Sequence, residues 1–302
     1  METTPQPSLN CPLCAEKGNF VGTLSGRIPP VRDYYLYHCQ SCHFSFISNY
    51  RTDYDVVYNE DYYQGRGADP LVNYRFDHLF PKITLRRLEW EGLREIFLTL
   101  TGNPAATWLD YGTGLGSLVQ FGREKGLNIF GFEPYQKEPT HPTQEDLAPF
   151  QKYLLPKEAL TSTGPFDFVT AIEVIEHAPD PVAFLKDIRP LLKEGGTLFL
   201  TTGNAWPYRH KLTSWSYTNV PDVHMSFFEP QTLCQALEKA GFKPQFPGYV
   251  KGFTRIIQYK ILKNLGFKKR HFLFNLIPWP IVSRLADSRF HVTAHPVGRA
   301  SN

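Results

Sequence analysis

No apolar stretch in this 302-residue chain reaches the roughly 18 residues that a membrane-crossing helix requires. Bias of charge is missing too: 32 lysines and arginines stand against 29 acidic residues, a formal net charge of +3. Such a balance argues against an obligatory polyanionic partner and makes nucleic acid an unlikely ligand. The sequence has no internal repeat and no low-complexity tract, and its N-terminus lacks the pattern of a secretory leader. Cysteine is scarce, with five residues in all. The expectation is a soluble, cytoplasmic protein with reduced thiols. Its length suits one α/β domain of about 200 residues with an appendage of under 100.

Four of the five cysteines are concentrated in two knuckles, Cys11-Pro-Leu-Cys14 and Cys39-Gln-Ser-Cys42, separated by 24 residues. Four thiolates from two C-x-x-C turns make a closed tetrahedral set that suits structural Zn2+ and leaves no open position for catalysis. A disulfide pair or a thioredoxin-like redox motif fits less well, given no leader and no βαβ pattern around either knuckle. The first 60 residues are too few for a large core, so the metal is expected to act as their staple. His38 and His43 flank the second knuckle as bystanders, and Cys234 reads as a small apolar side chain in a helix.

Glycine is placed with equal care in Trp108-Leu-Asp-Tyr-Gly-Thr-Gly-Leu-Gly-Ser117. Apolar residues lead to Asp110; Gly112, Gly114 and Gly116 alternate with other residues; a helical pattern then begins at Leu118, Val119 and Phe121. This predicts a strand, a tight turn and a helix N-terminus, where a ligand lies almost on the main chain. A second strand, Asn128-Ile-Phe-Gly-Phe132, delivers Glu133, whose carboxylate suits the two hydroxyls of a ribose. The dinucleotide fingerprint G-x-G-x-x-G is not met, because Ser117 occupies its sixth position.

Gly164-Pro165 precedes a short apolar strand, Phe166-Asp-Phe-Val-Thr-Ala-Ile172, followed by Glu173-Val-Ile-Glu-His177. Pro181 opens a helix carrying Val182, Phe184, Leu185, Ile188 and Leu191; Gly195-Gly196 is expected to break it before the strand Thr197–Thr201. The G-x-G-x-G run after an acidic residue resembles motif I of the class I S-adenosylmethionine-dependent methyltransferases. The segments 166–181 and 191–204 resemble the fourth and fifth strands of that superfamily, in the branch with an E-V-[IL]-E-H motif that methylates quinone precursors, sugars and other small metabolites. The resemblance spans roughly residues 75–250. It implies a doubly wound, seven-stranded Rossmann-like sheet with one antiparallel strand near its edge. It also implies S-adenosylmethionine bound by Asp110, Gly112, Gly114, Gly116, Glu133 and Glu173.

Glu173, Glu176 and His177 fall at i, i+3 and i+4, so one helical turn would present them together. Further on, His224-Met-Ser-Phe-Phe-Glu-Pro230 resembles an H-[LM]-S-[FY]-F segment of sugar C-methyltransferases with an N-terminal zinc site. The histidine of that segment is the proposed base there, and it follows a glutamate; here Val223 stands in that place. Three roles suit the cluster. His224 or His177 could remove a proton from the acceptor, with Glu176 orienting the imidazole. Glu173, Glu176, His177 and His224 could hold Mg2+ or Mn2+, as in small-RNA 2′-O-methyltransferases. Or the residues serve packing alone.

Between the modules, Tyr50 to Gly65 is dense in tyrosine and poor in helix signals, suiting either sugar or aromatic recognition or linker packing. The helix after Pro81, with Ile83, Leu85, Leu88, Leu93, Ile96 and Phe97 on its apolar side, leads into the first strand and with the tyrosines could lid the cofactor. Residues 260–284 mix basic and aromatic side chains, suiting a helical cover over the sheet or a peripheral membrane contact; Arg289–Ala294 reads as the last strand. The expected organisation is a zinc ribbon-like module (1–60), a linker and lead-in helix (61–100), and a methyltransferase domain (101–302) with a helical insertion at 255–287. The expected activity is methyl transfer to a small hydroxylated metabolite or a sugar, free or nucleotide-linked. An RNA methyltransferase using the zinc module as its grip, or a non-catalytic nucleoside-sensing scaffold, are the alternatives.

Overall fold

A computed structural model of the chain describes residues 8–70, 72–134, 150–246 and 291–296, with Phe253, Gln258 and Pro278. In chain order its strands and helices are β1 (Leu9–Asn10), β2 (Lys17–Ser25), β3 (Asp33–Cys39), β4 (Ser45–Ile47), α1 (Tyr54–Val57), α2 (Glu60–Tyr63), α3 (Tyr74–Leu79) and α4 (Arg86–Thr101). There follow β5 (Thr107–Tyr111), α5 (Ser117–Glu124), β6 (Asn128–Phe132), α6 (Ala159–Thr163), β7 (Phe166–Ile172), α7 (Pro181–Ile188), β8 (Leu192–Thr201), β9 (Ser226–Phe227), α8 (Pro230–Lys239), β10 (Phe242–Gln245) and β11 (His291–Pro296).

Local chemistry accounts for most boundaries. Asp180 accepts hydrogen bonds from the N–H groups of Val182 and Ala183 while Pro181 fills the first position of α7. That helix stops at Ile188, earlier than the glycine pair predicts, because Pro190 cannot continue it; Gly195 and Gly196 instead lie within β8. Asparagine caps start one helix in the tyrosine-rich segment and one beyond it: Asn59 accepts from Tyr62 N–H and Asn73 from Phe76 N–H.

The larger sheet has the order β10-β11-β8-β7-β5-β6, with β5, β6, β7 and β8 parallel and β11 antiparallel to both β8 and β10. The antiparallel strand therefore sits one place in from the edge. Six strands, rather than the seven expected, are regular among the described residues. Beyond β6 the next position is marked by a single parallel bridge between Gly131 and Leu154. Phe97 of α4 stacks on Trp108 with ring centroids 5.0 Å apart, anchoring the lead-in helix to the first parallel strand. The insertion expected at 255–287, including the basic-aromatic part, lies outside the described residues apart from Gln258 and Pro278. No described helix is long and apolar enough to cross a membrane.

The N-terminal module is not the separate body that a boundary after residue 60 suggests. Its sheet has the order β1-β2-β3-β4-β9, so its last strand comes from the methyltransferase part of the chain, with Ser45 opposite Phe227 and Phe46 opposite Ser226. Phe44 packs on Phe228 at 5.2 Å, and one apolar cluster runs from Cys11, Tyr37 and Phe44 to Val169, Leu198 and Leu233. Beside β9, the buried Asp222 accepts hydrogen bonds from Tyr34 O–H (2.7 Å) and Arg27 N–H (2.6 Å). Ile47 N–H donates to Met225 O (2.9 Å), and Met225 N–H donates to Glu176 O (2.8 Å).

β5 carries one carboxylate into the interior of the larger sheet. Asp110 accepts a hydrogen bond from Thr170 Oγ1 (2.8 Å), which in turn accepts from Trp108 Nε1 (2.9 Å). Burial pushes the Asp110 carboxyl up to about 6. In the unfolded chain it titrates near the ordinary value of about 3.9, so the folded state binds its proton more tightly. The contribution of Asp110 to stability is therefore complete below about pH 4 and is lost as pH rises through 6. Asp110→Asn should raise the stability of the ligand-free protein by about 1–3 kcal/mol at pH 8 and change it little at pH 4, as read from urea unfolding. Equal effects at the two pH values would contradict this assignment.

Candidate active site

The glycine turn follows from the end of β5. Gly112, Gly114 and Gly116 all take left-handed backbone conformations, with φ of 87°, 57° and 77°. They do not do so for the same reason. A Cβ on Gly112 would stand 2.4 Å from Val174 Cγ2, so that glycine serves packing; at Gly114 nothing lies nearer than Tyr74, at 3.6 Å. The space over Gly114 can therefore take a ligand. Gly112 and Thr113 donate their N–H groups to Phe132 O, fastening the turn to the end of β6. Glu133, the next residue but one beyond that strand's Gly131, accepts a hydrogen bond from Gly114 N–H at 2.8 Å. Asp110, the three glycines and Glu133 thus converge at the carboxyl ends of β5 and β6, where doubly wound sheets bind their ligands.

Tyr74, beyond the tyrosine segment, covers this turn, and the segment itself reaches the Glu/His cluster. Tyr74 faces Gly114, and its hydroxyl lies 3.4 Å from that of Tyr62. Tyr62 and Tyr63 are buried and serve packing, whereas the hydroxyl of Tyr58 lies 2.8 Å from His177 Nδ1. The segment is both packing material and a wall of the site.

Glu173, Glu176 and His177 do not share the helical turn that their spacing suggested. Glu173 follows β7 directly, in the left-handed region at φ 55°, a conformation that costs a non-glycine residue about 1–2 kcal/mol. It is held there by Thr201: Glu173 N–H donates to Thr201 O (3.0 Å), and Thr201 Oγ1 donates to Glu173 Oε1 (2.9 Å). A 3-10 turn over Ile175–His177 then brings Glu176 and His177 inward. One ligand atom from each of Glu176, His177 and His224 lies within 4.8 Å of the others, and all three residues are buried. Glu173 is not in that group, so three of the four ligands expected for a Mg2+ or Mn2+ site come together.

Glu176 does not orient either imidazole. Its Oε2 accepts from Thr202 Oγ1 (2.8 Å) and its Oε1 meets the hydroxyl of Tyr217. The imidazoles are set by other groups: His177 by Tyr58, and His224 by the backbone carbonyl of Tyr217, 2.8 Å from Nδ1. A carbonyl only accepts, so His224 carries its proton on Nδ1 and presents Nε2 as a lone pair when neutral. The two rings stand 5.2 Å apart. Burial keeps both below the usual histidine range, His177 well below it, with His224 adding to the effect on His177. Glu176 moves the other way, up to about 8, through burial and then the charge of Glu173.

Tyr217 was not anticipated, and neither were Thr201 and Thr202; no periodicity or spacing marks them. The Tyr217 hydroxyl lies 2.9 Å from Glu173 Oε2, meets Glu176, and accepts Gly203 N–H at 3.1 Å. Its ring lies 4.1 Å from that of His224 and 4.8 Å from that of Trp215.

The four knuckle cysteines form a second cluster. Cys11 and Cys42 sulfurs lie 3.7 Å apart, those of Cys14 and Cys39 lie 3.5 Å apart, and all four are within 4.8 Å of one another. A tetrahedral Zn2+ with bonds of about 2.3 Å needs sulfur–sulfur edges of about 3.8 Å, so the set fits. The two turns are built alike: Ala15 N–H donates to Cys11 O and His43 N–H to Cys39 O, and Ala15 and His43 share a φ of 64°. His38 stands apart from the sulfurs, its Nδ1 2.8 Å from Ser45 Oγ.

Comparison with known proteins identifies the family. A profile described as a methyltransferase domain matches residues 83–245, more than half of the chain. The ubiquinone biosynthesis O-methyltransferase of Acinetobacter baylyi is 30% identical over 149 residues, covering 45% of this chain and 62% of that protein. The protein of the same name from Colwellia psychrerythraea is 30% identical over 147 residues, covering 45% and 60%. This chain thus spans about three fifths of the length of those relatives. Among solved structures, a SAM dependent methyltransferase from Archaeoglobus fulgidus gives a TM-score of 0.42 at 18% identity, covering 73% of this chain and 97% of that one. The chain belongs to the methyltransferase-domain family.

Proposed function

We propose that this protein transfers a methyl group from S-adenosylmethionine to a small hydroxylated metabolite or a sugar, free or nucleotide-linked, with His224 as general base. The observation that carries this reading is the orientation of His224. Its Nδ1–H is committed to the Tyr217 carbonyl, so the buried ring offers Nε2 as a proton acceptor beside His177. S-adenosylmethionine supplies an electrophilic sulfonium methyl when bound. Glu133 would accept the ribose hydroxyls, and the open face of Gly114 would let the cofactor lie against the main chain. The protein's own contribution is alignment and removal of one proton, since holding the reactants in place lowers the barrier by itself. The hydroxyl reading suits a histidine held by a neutral carbonyl in place of a carboxylate, which makes it a modest base. The names of the two O-methyltransferase relatives support the same acceptor class.

The experiment is turnover to S-adenosylhomocysteine with the low-molecular-weight fraction of a cell extract as acceptor source, beside calorimetry of cofactor binding. Glu133→Ala should weaken S-adenosylmethionine binding by about ten- to a hundredfold, as loss of a charged hydrogen bond requires. His224→Ala should leave that affinity nearly unchanged and cut turnover by about a hundred- to ten-thousandfold. Turnover should withstand chelators of Mg2+ and Mn2+. It should fall with decreasing pH only below the usual histidine range, because burial makes the imidazole harder to protonate. Chelator-sensitive activity restored by Mg2+ would replace the base with a cation; failure to bind S-adenosylmethionine would end the proposal.

We further propose that Cys11, Cys14, Cys39 and Cys42 hold one structural zinc, on the fit of their sulfur spacing to a tetrahedral set. Elemental analysis of protein purified without chelator should find about one zinc per chain, and Cys14→Ser or Cys39→Ser should lose it. Less than about half an equivalent in the unsubstituted protein would remove the tetrathiolate reading.

A further inference from the structure

The hydroxyl of Tyr217 has polar neighbours in Gly203, Glu173, Glu176 and the Thr202 side chain, and the first three raise a problem of proton count. Gly203 N–H can only donate to it. Glu173 Oε2 and Glu176 Oε1, on the other side, are both carboxyl oxygens, and the hydroxyl has one proton to give. If both carboxyls were ionised, one of these oxygens would face a phenolic oxygen with no hydrogen between them. Such a contact is repulsive.

We propose that Tyr217 is the positioning residue of this site, and that its hydroxyl binds Glu173 and Glu176 as a pair holding a single acid proton, carried by Glu176. The resulting chain is complete. The Glu176 carboxylic acid donates to Tyr217 Oη, which also accepts Gly203 N–H, and Tyr217 O–H donates to the Glu173 carboxylate. Thr201 Oγ1 and Thr202 Oγ1 donate to the remaining oxygens of Glu173 and Glu176. The choice of Glu176 as the acid follows from burial: its surface is fully covered, while Glu173 keeps partial access to solvent.

The same residue fixes His224 through two further contacts, its ring at 4.1 Å and its carbonyl on Nδ1. The backbone makes room for it. A Cβ on Gly203 would stand 2.6 Å from Tyr217 Cε1, so any larger residue there would displace the ring. Tyr217 thereby couples the left-handed turn at Glu173 to the orientation of His224. This inference extends the general-base reading of the site, but the protonation of the pair holds whatever the acceptor is.

Infrared difference spectroscopy tests the pair without needing an acceptor. At neutral pH, wild type minus Glu176→Gln should show loss of a protonated-carboxyl C=O band, and wild type minus Glu173→Gln should show loss of carboxylate bands. Carboxylate bands in both spectra, or an acid band lost with Glu173→Gln, would overturn the assignment. For the positioning role, Tyr217→Phe keeps ring and carbonyl but removes the hydroxyl. It should lower kcat by about ten- to a hundredfold, with the KM for S-adenosylmethionine changed by less than about threefold. Glu176→Gln, a neutral mimic of the acid, should lose less than Glu173→Gln. Should Tyr217→Phe melt out of the assay range, the Glu173→Gln and Glu176→Gln ranking stands in for it. Unchanged kcat in a folded Tyr217→Phe, or the reverse ranking of the two glutamines, contradicts the role. If no turnover is found for wild type, the base reading fails while the infrared result still decides the pair.

Discussion

The peptide of Met225 is where the two sheets and the Glu/His cluster meet. Its N–H closes the turn that carries Glu176 and His177, and its carbonyl accepts the N–H of Ile47 at the end of the N-terminal sheet. His224 is the preceding residue, so its backbone position is set by both. The geometry of the site thus depends on an appendage that sequence boundaries would place outside it. Asp222 strengthens the arrangement from the other side: it is wholly buried, accepts from Tyr34 and Arg27, and lies 3.8 Å from the guanidinium of Arg51. A buried carboxylate with that many donors costs little to retain and much to break, because removing the donors would leave its charge unpaired. The thiol cluster then has a role besides holding a small module together. With a zinc bound, it would brace the sheet whose last strand is β9.

Electrostatics within the site follow from the same enclosure. Burial presses His177 and His224 toward their neutral forms and Glu176 toward its acid form, while Asp110 is pushed up in the neighbouring strand. Glu176, His177 and His224 together therefore hold little net charge near neutral pH, while Asp110, at about 6, is mostly ionised there. Strain is present too, at Glu173, and is held by Thr201 and Tyr217 in place of helical hydrogen bonds.

Sequence made the turn at the end of β5 legible and left the Glu/His cluster half-written. Strand, glycine turn and acidic terminus are local patterns, so Asp110, Gly112, Gly114, Gly116 and Glu133 could be placed from spacing alone, and the paired knuckles likewise. Helical periodicity misplaced Glu173, because a positive φ at a non-glycine residue leaves no trace in the pattern of side chains. Tyr217, Thr201 and Thr202 act through contacts made only after β7, β8 and the 216–224 segment fold together, and each is an ordinary residue in its own neighbourhood. The β4–β9 pairing escaped for the same reason. A two-residue strand 179 residues downstream of its partner has no periodicity to read.

The central claim is that the thiol-stapled sheet holds the residues around His224 in place. Amide hydrogen exchange, compared between zinc-loaded protein and protein stripped by a chelator, tests it most directly. Protection at Met225 should fall together with that of residues 36–47, while the parallel strands β5 and β7 keep theirs. Undiminished protection at Met225 in stripped protein whose N-terminal sheet has opened would contradict the account.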